Sequence, residues 1–142
     1  MVKQISVFLE NKAGRLAEVT RILGEKNINI RALSIADTTD FGILRLIVND
    51  PDGAYKALKE AEFTASFMDV LAIGIVDEAG SLSKALTALQ ENSIVIEYMY
   101  AFSGKSDDKP LVILKVSDIN KSVGILTALG IAVIEAEEVY RL

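Results

Sequence analysis

The chain has 142 residues with 20 acidic and 15 basic side chains, a formal net charge of −5. Its lysines and arginines are scattered, which excludes the basic face that grips a phosphate backbone, so nucleic acid is not expected as a partner. It contains neither cysteine nor histidine, which excludes disulfides, thiolate metal sites, cysteine nucleophiles and imidazole bases; no metal and no cofactor are expected.

Hydrophobic residues make up 51% of the chain, with only 2 prolines and 9 glycines, a composition that builds a packed core. After Met1 the sequence enters an alternating pattern, with Ile5, Val7 and Leu9 against Gln4, Ser6 and Glu10, the period of a strand with unlike faces. Phe8 breaks that alternation. No cleavable apolar leader precedes it, and the longest apolar stretch, near Leu71–Val76, contains Gly74 and is too short for a membrane span. A cytoplasmic protein without membrane contact is expected.

Leu16, Val19, Ile22 and Leu23 fall on one helical stripe, and Asn27 stands where that helix stops. Residues 28–36 and 43–48 are β-branched runs joined by a polar turn over 37–42, a hairpin. Asp50-Pro51 then opens a second helix, with aspartate as cap and proline at the first helical position. Ala54, Ala57, Leu58 and Ala61 give that helix an apolar face.

The plan then repeats. Glu10-Asn11-Lys12-Ala13-Gly14-Arg15-Leu16 is answered by Val76-Asp77-Glu78-Ala79-Gly80-Ser81-Leu82, and Gly14 and Gly80 are 66 positions apart. The same offset pairs Leu23 with Leu89, Ile28 with Ile94 and Ile30 with Ile96. Beyond the next turn the offset is 68, pairing Asp50 with Asp118 and Leu58 with Leu126, so the second copy carries two extra residues within 103–110. Residues 69–76 run from the last strand of one copy into the first strand of the next, with no linker between them. The reading is a tandem α/β protein, an α+β sandwich of two βαββαβ modules over 1–70 and 71–142. Their antiparallel sheets are expected to join side by side with the helices on one face.

The glycine turn after each first strand carries the most chemistry. It delivers the chain into a helix N-terminus, whose free N–H groups and dipole suit a carboxylate or a phosphate; the plainer role of glycine there is to permit a positive φ. Residues 10–16, followed by Asn27-Ile28-Asn29-Ile30, resemble the signature of the ACT domain, a ferredoxin-like module that senses amino acids. Residues 77–82 with Ile94-Val95-Ile96 are similar but weaker. The family often has proline before the glycine, where Ala13 and Ala79 stand here.

The resemblance implies a regulatory protein rather than an enzyme, with a free L-amino acid held at Asn11, Ala13, Gly14, Arg15, Leu16 and Asn29. Three of these residues have an alternative role. Asn11 is a ligand group or a turn cap, Asn29 a ligand group or a strand start, and Arg15 a contact to the ligand or a solvated side chain. A possible second site is Asp77, Gly80, Ser81 and Leu82. The copies are expected to be unequal, because Asp77 stands for Asn11 and Val95 for Asn29; the carboxylate of Asp77 should then repel a ligand carboxylate, leaving the site in the first copy.

No catalytic set is visible. Gly104-Lys105-Ser106 lacks the earlier glycine of a phosphate-binding loop, since Met99 holds that place. Tyr98, Tyr100 and Phe102 alternate as core or interface residues, and Glu135, Glu137 and Glu138 read as a solvated edge. Leu33 and Ile35, read as opposite Ile30, Ala32 and Ser34, imply an exposed apolar sheet face and a homodimer. A chain of two such modules also resembles the regulatory subunit of an amino-acid biosynthetic enzyme such as acetolactate synthase, which adds an enzyme subunit as partner. A small acyl phosphatase using Arg15 and an asparagine is the remaining alternative.

Overall fold

In the computed structural model, which describes all residues except Thr38, Thr39 and Asp107, β1 (Val2–Glu10) turns Ile5, Val7 and Leu9 into a buried core. α1 (Arg15–Glu25) adds Val19, Ile22 and Leu23 to that core. β2 (Ile30–Asp37) and β3 (Phe41–Val48) form the hairpin, α2 (Pro51–Glu60) follows, and β4 (Thr64–Gly74) closes the first module. The strand order is β2-β3-β1-β4. This is the βαββαβ order of a ferredoxin-like module, in which the helices share one side and bury the stripe that helical periodicity laid out.

The second module reuses the end of β4. It continues through α3 (Ser81–Glu91), β5 (Ile96–Ser106), β6 (Lys109–Val116), α4 (Ile119–Ala128) and β7 (Ala132–Ile134), with β6 between β4 and β5 and with β7 on β4. Leu71, Ile73, Ala85, Leu89, Leu114 and Leu126 form its core. The chain divides into two compact units, Lys3–Met68 and Asp69–Leu142 with Met1–Val2. The tandem βαββαβ reading is correct, and each module is an antiparallel sheet with its helices on one face.

Four details differ from expectation. β2 starts at Ile30, because the Asn29 N–H donates to Asn49 Oδ1 at 2.8 Å and the Asn49 N–H returns to the Asn29 carbonyl. A register shift between Ile30 and Ala32 then reverses the alternation. Leu33 and Ile35 therefore lie opposite Leu46 and Leu44, on the helix-bearing face with Ile30, and stay 50% and 44% exposed at the outer strand. The other face is not bare: Ala32 and Ile47 in the first module and Ala72, Leu111 and Ile113 in the second are buried.

The last concerns the chain's end. Glu137 and Glu138, read as a solvated edge, belong to a fifth helix among the described residues. α5 (Ala136–Arg141) takes Glu135 as its N-cap residue, places both glutamates in its first turn and buries Val139. The hairpin turn over 37–42 and the two-residue insertion fall partly on Thr38, Thr39 and Asp107, outside the described residues.

Candidate functional site

The two glycine turns have one backbone. Gly14 and Gly80 both have φ 87° and ψ −9°, the left-handed conformation that only glycine adopts without strain, and each is the N-cap of its helix. The supporting bonds also repeat. The Lys12 N–H donates to the Glu10 carbonyl and Arg15 N–H to Lys12, as Glu78 N–H does to Val76 and Ser81 N–H to Glu78.

Neither α1 nor α3 receives a side-chain cap. By contrast α2 and α4 are closed by aspartates: Asp50 accepts from the Gly53 N–H at 3.1 Å and Asp118 from the Lys121 N–H at 3.0 Å. The fold thus caps the helices that follow its hairpins and leaves open the helices that follow its glycine turns.

In the first module the charged side chains of the turn are already engaged. Lys12 Nζ lies 2.7 Å from Glu10, and Arg15 bridges Glu10 at 3.7 Å and Glu18 at 3.2 Å. The Arg15 guanidinium also lies over the Phe63 ring, 5.3 Å from its centroid. Arg15 is thus a partly exposed side chain held by two carboxylates and a ring. The hydrogen bond and charge of Lys12, and then the charge of Arg15, hold the Glu10 carboxyl below its usual range. Asn11 sits in this turn with its N–H bonded to the Asp40 carbonyl, and Asn29 lies at the entry to β2. Ala13, Gly14 and Leu16 complete the turn.

The second module keeps the backbone and changes the side chains. Ser81 replaces Arg15, Val76 replaces Glu10, Lys84 replaces Glu18 and Ile131 replaces Phe63. A cavity of about 370 Å³ opens there, lined by the glycine turn with Ser81, by Ile75 and Val76, by Lys84, Lys109 and Glu78, and by the turn Leu129–Ile131. Of the four residues expected at this site, Gly80 and Ser81 line the cavity, while Asp77 and Leu82 do not. Sequence reading missed Lys84, Lys109 and Gly130; the offset that pairs Gly130 with Glu62, and Lys109 with Phe41, was the available signal.

A second cavity of about 280 Å³, lined by Lys26, Asp50, Lys56 and Glu60 among others, lies away from both turns. Tyr98 and Tyr100 stack with ring centroids 6.4 Å apart, and Phe102 is buried. Gly104, Lys105 and Ser106 lie in β5. Among the described residues no group of acidic side chains could hold a metal ion. Nor, among the described residues, is any helix long and apolar enough to cross a membrane.

Comparisons with known proteins agree with this fold. Protein BT0572 from Bacteroides thetaiotaomicron is 43% identical, with a TM-score of 0.92 over 99% of this chain and 96% of that one. The regulatory subunit of aspartate kinase from Thermus thermophilus shares the fold, with a TM-score of 0.63 at 19% identity over 90% of each chain. The corresponding subunit from Thermus flavus does so at 15% identity, also with a TM-score of 0.63 over 90% of each. No curated protein matches the chain. The family model described as an ACT domain pair matches residues 1–142, and the chain belongs to that family.

Proposed function

We propose that the chain is a regulatory sensor and not an enzyme, acting in the cytoplasm as a homodimer that binds a free L-amino acid at the first glycine turn. The observation that carries this reading is the contrast in capping: α2 and α4 are sealed by aspartates, whereas Gly14 leaves the first turn of α1 without a side-chain cap. A ligand carboxylate there accepts from the N–H groups behind Gly14 and Leu16. Asn11 and Asn29 supply amides, which accept from an ammonium and donate to a carboxylate. Lys12 and Arg15 are tied to Glu10, so recognition falls to the backbone and the amides.

Thermal denaturation with each of the twenty L-amino acids tests this. A ligand at one hundred times its dissociation constant raises stability by about 2.7 kcal/mol, and Asn11→Ala removes the effect. Twenty flat responses reject the reading. Turnover of acetyl phosphate would instead make the protein an acyl phosphatase.

A second reading, a regulatory subunit of a biosynthetic enzyme, is supported by the two-module likeness to the aspartate kinase subunits, each matched over 90% of its length. Capture of such an enzyme from native cells by the tagged chain distinguishes it from a free-standing sensor.

A further inference from the structure

The second module's cavity lies where the first module holds larger, mutually paired side chains. In the first module Arg15 spans Glu10 and Glu18 and covers Phe63, and Phe8 stacks on Phe41 with ring centroids 4.7 Å apart. The corresponding positions in the second module are Ser81, Val76, Lys84, Ile131, Gly74 and Lys109. Every ring is gone, and both anions that neutralised the arginine are gone. Two cations have arrived instead, on separate elements: Lys84 on α3 and Lys109 at the start of β6, both lining the same cavity. Among the described residues neither forms an ion pair. One carboxylate, Glu78, also lines it.

We infer that this cavity is a second binding site, separate from the first turn, for a small amino acid with two carboxylates. Lys84 and Lys109 each take a carboxylate, and Glu78 takes the ammonium. The side chains carry two positive charges and one negative, the complement of a ligand carrying two negative charges and one positive. A volume of about 370 Å³ lies at the small end of ordinary ligand pockets, which suits a ligand of this size. Ile75, Leu129 and Ile131 give the methylene chain an apolar wall. This site does not depend on the amino acid proposed for the first turn.

Calorimetry on the full chain with L-aspartate, L-glutamate, succinate and inorganic phosphate tests the assignment. One of the two amino acids binds with one site per chain that survives Asn11→Ala. Lys84→Ala and Lys109→Ala, both at side chains outside the core, each weaken it about tenfold or more, the usual effect of losing a charge-assisted bond. Succinate binds more weakly than the amino acid, and Glu78→Gln removes that difference. Restoring the first module's side chains with V76E, S81R, K84E and I131F together abolishes binding, with the far-ultraviolet spectrum unchanged. Absence of saturable binding by both amino acids overturns the inference, as does tighter binding of phosphate. Binding lost in Asn11→Ala but retained in both lysine variants also overturns it, and leaves the first-turn reading intact.

Discussion

Arg15 and Phe63 meet in the first module, guanidinium over ring at 5.3 Å, while the same two positions in the second hold Ser81 and Ile131, which cannot form such a contact. Arg15 also bridges two carboxylates at a half-buried position. Its loss removes a cation–π contact worth about 0.5–1 kcal/mol and ion pairs worth about 0.2–1 kcal/mol. Arg15→Ala is expected to lower stability by about 1 kcal/mol in urea unfolding, with Ser81→Ala within about 0.5 kcal/mol of the parent. Equal effects would show that Arg15 does not plug the first module.

Gly14→Ala and Gly80→Ala each force an L-residue to φ 87° with open space around the new methyl group. The cost is therefore backbone strain alone, about 1–2 kcal/mol. The two variants should lose the same stability, because their backbones coincide. A difference above about 0.5 kcal/mol between them in denaturant midpoints would show that one turn relaxes.

Glu10 is exposed, and Lys12 followed by Arg15 lowers its pKa. A depressed carboxyl pKa contributes stability above the unfolded value and loses it as pH falls through the folded value. The Glu10 carboxyl resonance should titrate below the usual glutamate range, and Lys12→Ala should move it upward. A Glu10 titration unaffected by Lys12→Ala would contradict the pairing.

Leu33 and Ile35 leave apolar surface on an outer strand, a place where a second chain adds readily. Light scattering at micromolar concentration should give a dimer mass for the parent chain and a monomer mass for the Leu33→Asp, Ile35→Asp double variant. A parent monomer, or a variant dimer, would remove this edge as the interface.

The tandem fold was legible because its marks are local: Gly14 and Gly80 before apolar stripes, Asp50 and Asp118 before helices. The exposed face of β2 was not, since one extra residue near Arg31 reverses every side chain after it and leaves no trace in the alternation. α5 was missed because six residues with only Val139 buried give no stripe to read. The turns were found but the cavity was not. It depends on the sizes of Ser81, Lys109 and Ile131, residues far apart in sequence that become neighbours only after folding.

Glu62 and Gly130 show what the duplication has preserved. Both sit at left-handed φ, 68° and 75°, at matching places before the last strand of each module, and Asn27 and Ser93 match in the same way at 57° and 59°. The path of the chain has outlasted the residues that draw it, glycine in one copy and glutamate in the other. Segments 10–16 and 76–82 likewise share one backbone while their side chains differ. Selectivity in such a chain can diverge by side-chain drift alone, one copy at a time, with the untouched copy retaining the ancestral geometry.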